Sequence, residues 1–268
     1  MSQITIFLLY ALAAAGFVTS RLPRFASRGK PLAIAAFAFS LAGIIVHAEL
    51  LYLDVTAGDQ FNLTLEGAVS LIGIELGLIA FVAAFEPTLR GVSAGLLILA
   101  SACSLLTGTG GLSETTGDMI WQLHIHVLLA MSAYGLLTVG AIVAAYALVQ
   151  ERRLRAGRLS AVSALFAPLE TNEKLLYGVA AAGFLTLVVA VFTGSVFVEN
   201  LFTQHLTHKA VLSILATIVF GVLLAGRHLA GWRGKRGIYL YLGGYALLCL
   251  AYFGSRFVLE NILGKYWG

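Results

Sequence analysis

The residues of this chain best suited to chemistry are its histidines. There are six, at positions 47, 124, 126, 205, 208 and 228, and two of them open the otherwise apolar stretch WQLHIHVLLAMSAYGLL, residues 121–137. An imidazole is the commonest metal ligand among side chains and titrates near neutrality. His124 and His126 make no chelate, because two positions along a helix turns them about 200° apart. Following the face of His126 gives Ala130, Ala133, Leu137, Gly140 and Ala144; following that of His47 backwards gives Gly43, Ser40 and Ala36. Both histidines therefore head stripes of mainly small residues, which permit close helix approach or leave room for a flat ligand. The stripe below His208 reads Leu212, Leu215 and Val219, so His47 and His126 are the better pair.

Two histidines on separate apolar segments suit the axial positions of a non-covalent, b-type haem iron, since neutral imidazole binds the metal and an apolar pocket accepts the macrocycle. Zinc more often recruits Cys or carboxylates, and Glu49 and Asp54 keep a zinc or copper site open. Glu75 falls mid-segment, where a carboxylate is costly unless protonated or paired; it reads as a buried hydrogen-bonded carboxyl or as a proton or ion relay. Arg256 has three readings: a pair with Glu260, a pair with Glu49, or a bidentate contact to a haem propionate.

The elements that must carry these residues are membrane spans. The 268 residues are 59% hydrophobic and 11% charged, with a mean hydropathy of +0.92, whereas soluble domains carry about 25% charged residues. A spanning helix needs roughly 20 apolar residues. Eight segments qualify: 3–20, 31–53, 65–85, 91–107, 121–149, 175–198, 208–227 and 238–260. Their apolar runs are continuous rather than alternating, so the expected fold is an all-α polytopic bundle and not a barrel. The loops at 21–30, 86–90, 150–174 and 227–237 hold 14 of the 17 Lys and Arg residues, and those at 54–64, 108–120 and 199–207 hold none. The positive-inside rule puts the basic loops in the cytoplasm and both termini outside. His47, His124, His126, His205 and His208 then lie toward the outer face, and His228 alone is cytoplasmic.

Charge kept for topology accounts for the pI of about 9.1 without a nucleic-acid partner. The first apolar run has no Lys or Arg before it, so it reads as a span and not as a cleavable leader. Cys103 and Cys249 stand singly and fit no disulfide or metal spacing. The longest loop carries Leu159, Val162, Leu165 and Phe166 at helical spacing, ended near Pro168, and is expected to lie flat on the membrane. No G-x-S-x-G elbow, H-E-x-x-H helix or phosphate-binding glycine loop is present, which points away from an enzyme.

Together, WQLHIHVLLAMSAYGLL, LLYGVAAAGFLTLVVAVFTGSVF (175–197), FNLTLEGAVSLIG (61–73) and GWRGKRGIYLYLGGYALLCLAYFGSRF (231–257) resemble the CcsA/ResC/CcmC-type cytochrome c assembly proteins. With HKAVLSI (208–214) they are most similar to the short YpjD/HemX-like branch. The resemblance covers most of the chain as a single domain, 1–268, and implies haem handling at the outer face of a bacterial inner membrane. It places His126 at the family's external haem ligand, eight residues before Tyr134, with Trp121 opening the same segment as a secondary haem-site candidate. His228 takes the place of the histidine near the inner end of the helix that enters GWRG.

Two features depart from the family. VENLFTQHLT (198–207) stands where a tryptophan-rich W-G-x-x-W-x-W-D platform belongs, and SRFVLENILGKYWG (255–268) lacks the second external histidine. His47 or His208 is then expected to supply the missing ligand. The implied function is a haem-binding accessory or regulatory factor rather than a full haem-delivery synthase, with haem, lipid and other inner-membrane proteins as partners. The alternatives are a non-haem membrane scaffold docking through its basic loops, and an ion or proton transporter using Glu75.

Overall fold

The structure is a computed structural model that describes residues 2–56, 65–108, 121–157, 168–197 and 207–254. Among these residues it is all α-helical. The helices are α1 (Ser2–Arg21), α2 (Gly29–Val55), α3 (Leu65–Ala83), α4 (Arg90–Ser104), α5 (Trp121–Arg155), α6 (Leu169–Phe197), α7 (Thr207–Leu229) and α8 (Lys235–Cys249). Seven are long and apolar enough to cross a membrane. The eighth, α8, is shorter but runs on into a π-helical turn, Leu250–Gly254. All eight coincide with the apolar segments of the sequence, and the chain is a polytopic membrane protein.

The surface confirms the solvent. Ile34, Val82, Leu185 and Phe192 are 70%, 67%, 64% and 66% exposed, which water would penalise and lipid does not. Helix α5 has 35 residues; at about 1.5 Å each it is about 52 Å long, against a hydrocarbon layer of about 30 Å. Its basic last turn, with Arg152, Arg153 and Arg155, therefore projects beyond the apolar layer. Pro168 immediately precedes α6, its carbonyl accepting from the Asn172 amide, as suits a residue with preset φ and no N–H. Leu159, Val162, Leu165 and Phe166 lie outside the described residues.

The packing forms two compact units, 1–113 with 145–172 and 114–144 with 173–268. In the first, α1 packs on α2 and α4, and α3 on α4. Glycines make the close approaches. A Cβ on Gly16 would meet the Cβ of Ala36 at 2.8 Å, and Cβ atoms on Gly43 and Gly77 would meet the ring and hydroxyl of Tyr10 at 2.9 and 2.8 Å. Phe37 meets Phe17, Phe81 and Phe85 at 4.8–5.5 Å between centroids, an aromatic cluster at the opposite end from His47.

In the second unit, α7 packs on α8, and tyrosines bridge α8 to α5. The Tyr241 hydroxyl donates to the Leu137 carbonyl at 2.9 Å, Tyr134 donates to the Leu248 carbonyl at 2.7 Å, and Tyr245 shares a 2.7 Å hydrogen bond with Thr138. The small-residue stripes thus serve close approach: Tyr10 fills the space over Gly43, and Tyr241 that over Gly140.

Candidate functional site

His47 lies on the buried face of α2 with Ala36, Ser40 and Gly43, and it is 0% exposed. Its Nδ1 is 3.3 Å from the Tyr10 hydroxyl on α1. Its Nε2 is 2.9 Å from the Ser70 hydroxyl on α3 and 3.3 Å from that of Thr107, just past α4. Ser70 and Thr107 are themselves 2.7 Å apart. One consistent arrangement has Tyr10 donating to Nδ1, Nε2–H donating to Ser70, and Ser70 donating to Thr107. The Thr107 carbonyl accepts from Gln3, and Asp54 accepts from the Gly108 amide at 3.1 Å. Buried imidazole and hydroxyls must find partners, and here they find one another across all four helices.

This cage is a poor seat for haem. Both ring nitrogens are engaged, Tyr10 packs edge-on at 5.8 Å, and a Cβ on Gly73 would already lie 3.2 Å from the His47 Cε1. Nor does a zinc or copper site assemble here. Glu49 is exposed, Asp54 is a loop anchor, and among the described residues no group of three or more His, Cys, Asp and Glu is placed to hold a metal.

His126 differs. It belongs to the second unit, in the first turns of α5 and only half-buried, while His47 belongs to the first. Its Nδ1 is 3.2 Å from the Thr193 hydroxyl near the end of α6. That hydroxyl has one proton, which it donates to the Ala190 carbonyl at 3.0 Å. One consistent arrangement has this oxygen accepting from His126 Nδ1–H, which leaves the lone pair on Nε2. The ring lies flush on α6 because position 194 is glycine: a Cβ there would come within 2.7 Å of His126 Cε1. A neutral imidazole with its remote N–H held by a helix is the form that ligates metals, so this residue fits an axial haem ligand.

The end of the unit that holds His126 contains further chemistry. Lys209 lies in the first turn of α7, and its Nζ sits 4.9 Å from the centroid of the Tyr252 ring. Tyr252 belongs to the π-helical turn and lies 5.9 Å from Tyr134 of α5. π-Helical turns recur at functional sites, and here the Tyr134 hydroxyl supports this one through the Leu248 carbonyl. Thr193, Lys209 and Tyr252 carry no motif of their own. Their signals are a Thr-Gly pair inside an oily helix and a lysine in an outer region otherwise poor in cations.

The remaining sequence candidates are scattered. Trp121 begins α5 and is 67% exposed, as suits an interfacial anchor. His208 lies in the first turn of α7, beside Lys209, with its side chain outside the described residues, as is that of His124 on α5. His205, Arg256 and Glu260 lie outside them altogether. Glu75 is half-buried on α3 and engaged by its neighbours.

At the other end of the second unit, His228 is exposed, whereas Arg227 is committed inside the protein. Arg227 pairs with Glu173 at 2.5 Å, donates to the Trp232 carbonyl at 3.3 Å and covers Tyr177 at 4.6 Å.

The family model described as cytochrome C assembly protein matches residues 3–263. Inner membrane protein YpjD of Escherichia coli (strain K12) is 34% identical over 149 residues, which are 56% of this chain and 55% of that protein. An uncharacterized 28.8 kDa protein in nifR3-like 5'region of Azospirillum brasilense is 31% identical over 147 residues, 54% of each chain. The chain thus spans about half the length of the curated relatives it matches. No solved structure matches it.

Proposed function

The chain belongs to the cytochrome c assembly protein family, and on that premise we propose that it binds a b-type haem non-covalently, with Nε2 of His126 as an axial ligand. Membership gives a multi-pass protein of the bacterial inner membrane with a haem-related function. The single observation that carries the finer reading is the Thr193–His126 pair, which engages Nδ1 and, among the described residues, leaves Nε2 for a ligand. Bound there, the iron would supply redox or carrier chemistry. The protein's own contribution is to hold the ring's tautomer and orientation from α6 and to exclude water with apolar walls.

The role is accessory or regulatory. Residues 198–207 carry neither Trp nor Asp, so the flat aromatic platform on which the family's delivery proteins present haem has no counterpart. The distribution of Lys and Arg supports an outer location for the His126 end, because α5 starts from a loop without cations and finishes among arginines. His208, on the same unit, is the candidate for the opposite axial position. His47, saturated with hydroxyls, acts as a structural fastening.

Absorption spectroscopy tests this directly. Purified in detergent and supplied with haem, the protein is expected to show a Soret band that His126→Ala abolishes and His47→Ala retains. A wild-type protein with no haem band, or an unchanged band in the His126 variant, would sink the proposal.

A further inference from the structure

The positive-inside rule accounts for cations in the turn between α7 and α8, and for nothing about its shape. The turn reads GWRGKRG, residues 231–237, and Trp232 pins it. The Trp232 amide donates to the Gly226 carbonyl at 3.0 Å, and its own carbonyl accepts from the Tyr177 hydroxyl at 2.9 Å. Its ring lies flat against Gly226, where a Cβ has no room. Gly231 and Gly234 take φ of 63° and 62° on either side, a conformation that favours glycine, and the space beside both is open. Arg233 and Arg236 stand on this pinned backbone, and both are exposed. The Arg236 guanidinium rests 5.4 Å from the Trp232 ring centroid, a cation–π distance. Among the described residues no carboxylate pairs with either arginine. Residues 201–259 contain no Asp or Glu, and Glu173 is taken by Arg227. Apolar surface adjoins the turn, with Leu229 88% exposed and Tyr239, three positions along α8 from Arg236, 55% exposed.

We infer that Arg233 and Arg236 form a headgroup site for an anionic phospholipid, their guanidiniums holding its phosphate while Leu229 and Tyr239 meet its acyl chains. A guanidinium is a planar fork that matches phosphate oxygens. The indole beneath Arg236 is the side chain that favours the boundary between headgroups and hydrocarbon, and basic pockets at the ends of spanning helices suit such headgroups. Orientation in the membrane requires only that a loop contain Lys or Arg. A backbone pinned at one residue and a guanidinium stacked on its ring require a ligand to be held in one place. The site lies at the end of the unit opposite His126 and does not depend on haem. A lipid held there would fix the depth of the α7–α8 hairpin in the bilayer.

The test uses the full-length protein with Trp121→Phe and Trp267→Phe, so that Trp232 is the one indole of three that remains, reconstituted in phosphatidylcholine vesicles. Brominated phosphatidylcholine or brominated phosphatidylglycerol is titrated in, and quenching of Trp232 fluorescence reports which lipid occupies the site. With both arginines present, phosphatidylglycerol is expected to be preferred roughly ten- to thirtyfold, about fivefold from each arginine beside an anionic headgroup. Arg233→Gln with Arg236→Gln should bring the two lipids to equal quenching without lowering the unfolding temperature in detergent. Arg233→Lys with Arg236→Lys should keep part of the preference. Arg24→Gln with Arg28→Gln removes the same charge from exposed positions of the first unit and should leave the preference intact. Equal quenching by the two lipids with the arginines in place overturns the inference and leaves the patch to an acidic protein surface. So does a preference that survives the Gln pair at 233 and 236. A preference lost equally in the Arg24 and Arg28 variant overturns it too, since overall charge would then account for the effect.

Discussion

His47 and His126 are the same side chain in similar apolar helices, and they are spent in opposite ways. Around His47 three hydroxyls, from Tyr10, Ser70 and Thr107, reach both ring nitrogens. Around His126 one hydroxyl, from Thr193, is itself committed to the Ala190 carbonyl and reaches only Nδ1. The difference is one of counting donors and acceptors. A buried imidazole surrounded by enough partners is a cross-link between helices, while one with a single hydroxyl partner among the described residues has a second ring nitrogen to offer a ligand. Burial follows the same division, with His47 fully enclosed and His126 half-buried. In a membrane, where helices have little hydrophobic reason to associate, such polar contacts help set which faces meet.

The sharpest way to break this comparison is to remove each ring in turn. His126→Ala is expected to lose haem binding by a hundredfold or more, roughly 2.7 kcal/mol, with little change in thermal stability. His47→Ala should do the reverse. It strands three buried hydroxyls and leaves a cavity, a cost of about 3 kcal/mol in stability, while the haem spectrum survives. Thermal unfolding in detergent and haem titration on both variants read the two effects separately. If His47→Ala lost haem binding and kept its stability, the assignment of roles would have to be exchanged.

That exchange could not have been excluded from the sequence, and the reason is physical. Hydropathy alone located all eight helices, because the cost of exposing a backbone to lipid forces long uninterrupted apolar runs. The small-residue stripes below both histidines were legible at helical spacing. What filled them was not: Tyr10 reaches Gly43 across 33 positions, and the three partners of His47 lie 23 to 60 residues away. Serine and threonine are ordinary residues of apolar helices, so nothing in their local pattern marks Ser70 or Thr107 as ligands of a histidine. Thr193 was visible only within FTGSVF, as part of a resemblance, and its hydrogen bond to His126 depends on the adjacent Gly194 letting two helices touch. Lys209 stands at the head of the seventh apolar segment, and charge patterning assigns sides of the membrane and not neighbours.

A smaller effect sharpens the tautomer argument. Thr193→Val is nearly isosteric and removes the acceptor for Nδ1–H, freeing the ring to carry its proton on either nitrogen. Loss of such supporting partners typically costs ten- to a hundredfold in metal affinity, and about tenfold is expected here because the packing of the ring on Gly194 is kept. Thr193→Ser should restore binding. Haem titration combined with resonance Raman of the iron–imidazole mode distinguishes a reoriented ring from a general loosening. Unchanged affinity and frequency in Thr193→Val would mean that the helix surface at Gly194, not the hydroxyl, sets the ring.

The smallest effect separates the site from its scaffold. Tyr134 stands between the two: its ring lies beside Tyr252, and its hydroxyl is spent on the Leu248 carbonyl, just before the π-helical turn. Tyr134→Phe keeps the aromatic face and deletes only the hydrogen bond. Interhelical hydrogen bonds in membrane proteins contribute on average about 0.6 kcal/mol, so stability should fall by roughly that amount. Haem affinity should change less than about threefold, the equivalent of the same energy. A much larger loss of haem affinity, with stability unchanged, would show that the turn carrying Tyr252 must be held in place for the ligand. Tyr134 would then belong with Thr193 among the residues that position the site, and the second unit's tyrosine bridge would be functional as well as structural.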